Sequence, residues 1–271
     1  MSSNKYVLGH ASNELERLNF QSRMLQPLTT RMLLAANICP GMRILDLGCG
    51  TGGVSLLAAD LVGSNGAVVG IDRSDKAIAS ARACAEAVGI RNAEFITCSL
   101  EEFDEQEGFD MVTGRYVLCH QPDAVIFLRR AARFVRPGGA IAFHEVDLAR
   151  HTASMPSVPL WDMVVAEVLT RFQRACPEYN VAQKLVKTFV SAGLPVPEMS
   201  YELPVGGGAD SPLCTWITET LRSMSDNTRE TGLPDGRLVE IDALNLELQF
   251  AVAKSNSQVV FPGQSCAWTQ L

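Results

Sequence analysis

The stretch ILDLGCGTGG, residues 44 to 53, holds the residues whose chemistry is easiest to read. An apolar run carries one acid, Asp46, and leads into glycines at positions 48, 50, 52 and 53. Glycine admits a ligand close to the backbone, where a Cβ would stand in the way. The spacing fits two patterns. Gly48, Gly50 and Gly53 match G-x-G-x-x-G, the fingerprint that seats a dinucleotide pyrophosphate on a helix N-terminus. Gly48, Gly50 and Gly52 match G-x-G-x-G. Asp46 separates the two, because an acid beside a pyrophosphate adds repulsion but favours a cationic ligand. S-adenosylmethionine (SAM) has no phosphate and carries an ammonium and a sulfonium. Its carboxylate can meet backbone N–H groups of the loop. Asp72 ends the next apolar run and can accept ribose hydroxyls of either ligand. Its alternative role is to cap the following helix, a task open to Ser74 and Asp75.

A second group can move protons. His120 stands in LCHQPD, and His144, Glu145 and Asp147 stand in FHEVD. His144 is read as a general base or as a buried, hydrogen-bonded histidine. His120 is read as a base or as a loop residue packed on the ligand. Asp147 is a catalytic candidate that, like Glu145, can instead position the cofactor or cap the next segment. Arg17 and Gln21 are four residues apart and share a helix face. They are placed to reach a ligand carboxylate, unless that face is simply solvated. Tyr6, His10, Trp161, Phe172 and Trp216 are candidates to line an apolar acceptor pocket. The bland reading of the aromatic members is ordinary core. No metal is expected. The four histidines lack H-E-x-x-H spacing, the eight cysteines form no C-x-x-C pair, and no oxygen-rich cluster suits Mg²⁺.

These residues need elements to hold them. A helical pattern covers 11–38, interrupted by Pro27, which predicts two helices there. Strands are predicted at 42–47, 67–72, 93–98, 109–118 and 140–146. Helices are predicted between them at 52–62, 74–89 and 122–136. Single helices between strands imply a parallel sheet with right-handed crossovers. Beyond 147 the pattern predicts helices within 155–179 and at 180–194. A strand follows at 197–205, a loop at 206–212, helices near 213–226 and 235–254, and a last strand within 257–270.

The segments ILDLGCGTGG, VVGIDRS, AEFITCSLEEF, FDMVTGRYVLCHQPD and FVRPGGAIAFHEVD have the order and spacing of class I SAM-dependent methyltransferases, which the chain resembles. The opening YVLGHASNELERLNFQ is similar to a bacterial small-molecule subgroup. The resemblance implies an α/β, Rossmann-like fold: a mostly parallel seven-stranded sheet of order 3-2-1-4-5-7-6, with strand seven antiparallel, helices on both faces and helical cap insertions. It implies SAM as cofactor and S-adenosylhomocysteine as product. Asp46 and the loop of Gly48, Cys49, Gly50, Gly52 and Gly53 would hold the methionine end. Asp72 would take the ribose and Arg73 would flank the adenine. Ser99 and Leu100 would meet the adenine edge, with Ser99 standing where many relatives have Asp. Arg115 and Tyr116 would line the methionine portion, and Arg17 and Gln21 would join the cofactor site. The Asp and Asp-Asn ligands of catechol-type relatives are not reproduced in CSLEEF or HEVD.

One domain is expected over residues 1–271. It comprises an N-terminal helical cap at 1–41, a SAM-binding core at 42–147, and helical insertions over the acceptor site at 148–180 and 206–256. The net charge of −7 with no basic block argues against a nucleic-acid partner. No window of about 18 apolar residues occurs, so a cytoplasmic protein off the membrane is expected, as monomer or homodimer. The leading expectation is a methyltransferase acting on a small, fairly apolar metabolite at O, N or C in natural-product biosynthesis. The alternatives are a SAM-binding cyclase that keeps the methyl group, an NAD-dependent oxidoreductase and a non-catalytic SAM-binding partner.

Overall fold

The structure, a computed structural model, describes residues 12–105, 108–150, 153–225 and 229–271. Helix α1 (Ser12–Ala35) runs unbroken through Pro27, against the expectation of two helices. Leu25, Leu28, Met32 and Leu33 are buried on both sides of the proline. Their packing offsets the one helical hydrogen bond that the ring removes.

Strands and helices then alternate as β1 (Arg43–Leu47), α2 (Gly53–Val62), β2 (Ala67–Asp72), α3 (Asp75–Val88), β3 (Ala93–Thr97), β4 (Phe109–Arg115), α4 (Ala124–Ala131) and β5 (Val135–Val146). Ser74 caps α3 through its side chain, leaving Asp72 free of that task, and Gly89 closes the helix in the left-handed region. Beyond β5 come α5 (Pro159–Ala175), α6 (Leu185–Ser191), β6 (Glu198–Glu202), β7 (Val205–Gly207), α7 (Pro212–Met224), β8 (Glu230–Gly232), β9 (Leu238–Glu240), α8 (Ile241–Lys254), β10 (Gln258–Val260) and β11 (Gln264–Gln270).

The large sheet has the order β3-β2-β1-β4-β5-β11-β6. Only β11 is antiparallel to its neighbours, β5 on one side and β6 on the other. The expected 3-2-1-4-5-7-6 arrangement is therefore present, with β11 as its seventh strand. The central strands are buried on both faces, which is why β1, β4 and β5 read as near-continuous apolar runs.

Several boundaries differ from the sequence reading. The strand expected within 109–118 ends at Arg115, the helix expected at 180–194 is only α6, Leu185–Ser191, and the strand expected at 197–205 ends at Glu202. Helix α4 stops at Ala131, and β5 begins at Val135, running through Pro137, Gly138 and Gly139. A register shift against β4 between Phe109 and Met111 absorbs the irregular stretch. The expected helix at 235–254 starts only at Ile241. Its first part is the β8–β9 hairpin, whose turn is set by Gly236 at φ +87° and by Asp235 accepting from the Arg237 N–H. Gly206 and Gly207, expected in a loop, pair with β10.

Helices α5, α7 and α8 share an apolar cluster that includes Trp161, Val164, Leu169, Trp216, Leu244 and Leu248. This helical layer meets the sheet at the C-terminal ends of its parallel strands, where open α/β sheets bind ligands.

Candidate functional site

At that junction lies a cavity of about 390 Å³, walled by the β1 loop, the ends of β2 and β4, the segment after β3, and residues of α1, α5 and α7. Of the residues expected to bind cofactor, Arg17, Gln21, Asp46, Gly48, Cys49, Gly50, Gly53, Asp72, Arg73, Ser99, Leu100, Arg115 and Tyr116 line it. The loop resolves the question of the glycines. Gly48, Gly50 and Gly52 have positive φ, whereas Gly53 does not. A Cβ on Gly50 would meet nothing within 4 Å. Since Gly50 lines the cavity, a side chain there would project into open space that the glycine leaves to a ligand. A Cβ on Gly53 would fall 2.0 Å from the Ser22 hydroxyl of α1. The fourth glycine thus serves helix packing, and the turn uses the G-x-G-x-G set. Gly52 does not line the cavity; it caps α2, and its face packs on Ala81 and Phe95.

Asp46 is fully buried in this wall. Its Oδ2 accepts the Ser55 hydroxyl at 2.6 Å, and its Oδ1 has no protein partner. Burial raises its pKa to about 7, against the pull of Ser55 and the Arg115 charge. Arg115 is itself held by Ser22 and Thr29, at 3.0 and 3.1 Å. Asp72 fastens the loop by accepting the Gly50 and Ser74 N–H groups at 3.0 and 2.9 Å. Arg73 is half exposed and pairs with Glu101. The Ser99 hydroxyl donates to Glu102 at 2.9 Å, so toward a ligand it is left with lone pairs and acts as an acceptor. Gln21 accepts from Arg17 at 2.8 Å and from the Trp216 indole at 3.1 Å, which ties α1 to α7 across the cavity.

The segment after β4 forms the far wall. Its shape depends on Glu145, which is buried and accepts the N–H groups of Val117, Leu118 and Cys119 at 3.0, 2.8 and 3.4 Å. Burial raises the Glu145 pKa to about 7 despite those bonds. The sequence offered one signal for this role, a carboxylate inside an apolar strand. Cys119 and His120 line the cavity. Cys176, at the end of α5, completes a cluster with them, its Sγ lying 3.6 Å from His120 Nδ1. The Cys119–Cys176 hydrogen bond raises the first thiol's pKa and lowers the second's, and His120 adds to the lowering.

Two residues expected to be catalytic lie elsewhere. His144 is not on the cavity wall and has no exposed surface. Gln264 donates its amide to Pro262, so its oxygen accepts from both Tyr116 and His144. The His144 proton therefore sits on Nε2, and Nδ1 accepts from Thr29 at 3.1 Å. With both nitrogens engaged, the ring serves as a structural link. Burial, reinforced by the Arg115 charge, lowers its pKa from 6.5 to about 3. Between those values the unfolded chain takes up a proton that the folded chain refuses. The resulting stability is complete above about pH 6.5 and is lost as pH falls toward 3. His144→Asn, which cannot protonate, should shrink the drop in Tm between about pH 7 and about pH 5. A drop as large as wild type's would place that acid lability at another group.

Asp147 is also buried away from the cavity. It accepts from the Ala149 and Arg150 N–H groups, from Gln183 and from the Tyr201 hydroxyl, which is the capping alternative. Trp161 belongs to the helical core and not to the wall. Phe172 and Trp216 do line the cavity. Tyr6 and His10 lie outside the described residues.

Residues 38–193, more than half of the chain, match the family described as a methyltransferase domain. Over 134 residues the chain is 36% identical to aklanonic acid methyltransferase DauC of Streptomyces sp. (strain C5), covering 49% of this chain and 60% of that protein. The chain thus spans about three-fifths of that relative's length. Two solved structures share the fold: the YcgJ protein from Bacillus subtilis (TM-score 0.55, 14% identity, 90% of this chain and 98% of that one) and the [4+2]-cyclase SpnF (TM-score 0.53, 18% identity, 90% and 79%).

Proposed function

The chain belongs to the methyltransferase-domain family, and from that premise we propose that it binds SAM in the 390 Å³ cavity and methylates a small, fairly apolar acceptor. The observation that carries the reading is the buried Asp46 Oδ1, a carboxylate oxygen without a protein partner in the cavity wall. A cationic ligand satisfies it, and a pyrophosphate does not. The open space at Gly50 fits a ligand that presses on the backbone.

Asp46, the 48–53 loop, Asp72, Arg73, Ser99, Leu100, Arg115 and Tyr116 would hold the cofactor, with Arg17 and Gln21 closing over it from α1. SAM, when bound, supplies an already activated methyl group. The protein's own task is then to align the acceptor and keep water out. Leu148, Phe172, Ala175 and Pro177 add apolar surface to the cavity lining, suited to an acceptor. Of the three expected acid–base residues, His120 alone lines the cavity and is placed to take an acceptor's proton. The name of the relative, aklanonic acid methyltransferase, supports a small organic acid-type acceptor, and a place in natural-product biosynthesis is part of the same proposal. Among the described residues no helix is long and apolar enough to cross a membrane.

The test is incubation of the protein and methyl-labelled SAM with a small-metabolite extract, read by mass spectrometry. A labelled small molecule whose formation needs the protein is the expected result. A product that requires SAM yet carries no label would overturn methyl transfer in favour of rearrangement on the same fold.

A further inference from the structure

At the far wall of the cavity, Cys119, His120 and Cys176 bring two thiols and an imidazole together. Their ligand atoms lie within 4.8 Å of one another. The His120 Nδ1 to Cys176 Sγ separation is 3.6 Å. A tetrahedral Zn²⁺, with Zn–S of about 2.3 Å and Zn–N of about 2.0 Å, sets nitrogen and sulfur ligands about 3.5 Å apart and two sulfurs about 3.8 Å apart. The His120–Cys176 edge matches that of one coordination sphere, and the two edges to Cys119, within 4.8 Å, reach it with a contraction of at most about 1 Å.

The supporting backbone is fixed independently of the three ligand side chains. Glu145 holds the N–H groups of Val117, Leu118 and Cys119. The Glu178 N–H donates to the Cys119 carbonyl at 3.2 Å, joining the loop after β4 to the chain just beyond Cys176. Two of the three ligands, Cys119 and His120, face the cavity. Structural zinc sites close all four positions with protein ligands, whereas sites with three protein ligands leave one position open.

We propose that Cys119, His120 and Cys176 form a binding site for a thiophilic divalent cation of the Zn²⁺ type, with its open position toward the cavity. Soft thiolates with one imidazole select such an ion over Mg²⁺ or Ca²⁺. On ligation each thiol gives its proton to solvent, and the imidazole binds as the neutral ring. The open position takes an anionic oxygen or sulfur. If the cavity's reading as an acceptor site is right, this ligand is the acceptor's nucleophilic atom, and ligation turns His120 from a proton acceptor into a metal ligand. The metal site itself stands without that reading, since its test needs neither SAM nor acceptor.

The experiment loads reduced full-length protein with Zn²⁺, removes free ion by desalting and measures retained metal. Co²⁺ substitution is read by absorption. Wild type should retain about one ion per chain and show tetrahedral cobalt bands with a thiolate charge-transfer band. Cys119→Ser and Cys176→Ser should each weaken retention by more than about 100-fold, beyond what loss of an outer-shell partner costs. His120→Ala, at a half-buried position, repeats the test where folding is least at risk, and Cys39→Ser, at an exposed thiol, should retain the ion. Thermal melts identify any variant that fails to fold. The proposal is overturned if reduced wild type retains no stoichiometric Zn²⁺, or if folded His120→Ala binds as wild type does.

Discussion

Asp46→Ala is expected to raise the dissociation constant for SAM by about 10- to 150-fold, the loss of one charge-assisted contact of roughly 1.5–3 kcal/mol. The carboxylate is buried, its Oδ1 lacks a protein partner, and burial holds its pKa near 7. A cation reaching Oδ1 must meet the ionised form, so SAM affinity in wild type should fall as pH drops below about 7. The same shift predicts a stability effect of opposite sense to that of His144. The folded chain keeps a proton on Asp46 that the unfolded chain releases between 3.8 and about 7, so this position costs stability as pH rises through that window. Asp46→Asn removes the titration. It should flatten the pH dependence of SAM affinity and of apo-protein stability while weakening binding. Isothermal calorimetry at two pH values checks the first effect and thermal melts check the second. Affinity within threefold of wild type at both pH values would remove Asp46 from the cofactor site.

The second large effect is expected at Glu145. Glu145→Ala strands three backbone donors of the segment 117–119, and each buried unsatisfied group costs about 1–3 kcal/mol. The expected loss is about 3–5 kcal/mol, or about 10 °C in Tm for a chain of this size. Glu145→Gln keeps an oxygen for the two shorter bonds, to Leu118 and Val117, and should recover most of that loss. The melts of the two variants decide the matter, and equal melting of Glu145→Ala and wild type would show that the segment holds its shape without this anchor.

The sheet was legible because its signals are local. Apolar runs, Ser74, Gly89 and the glycine loop each act within a few residues of where they stand. Asp46, the glycines and Asp72 followed from pattern and strand ends, whereas Arg73, Ser99, Leu100, Arg115 and Tyr116 came from the family resemblance, and all but Gly52 line the cavity. What stayed hidden depends on pairs far apart in the chain. His144 looked like a base until Thr29 and Gln264, which no spacing links to it, took up both ring nitrogens. Cys176 gave no signal at all, because its chemistry exists only where the end of α5 meets the loop after β4. Pro27 misled for a related reason. A local rule predicted a break, and the tertiary packing of Leu25, Leu28, Met32 and Leu33 prevailed. Gly53 fitted a pyrophosphate pattern by spacing, while its actual constraint is the Ser22 side chain of a separate helix.

The residues lining the cavity come from different stretches of the chain. Asp46, Gly50 and Asp72 belong to the sheet ends, whereas Leu148, Phe172, Ala175 and Pro177 come from the chain that follows β5. This division makes the scaffold readily evolvable. Selection can reshape the second set by single substitutions in and around α5 without disturbing the loop that the first set depends on. A mutant library at those four positions therefore leaves the glycine loop untouched, but Leu148 and Phe172 also belong to the buried apolar cluster, so changes there must conserve volume to keep the helical layer packed.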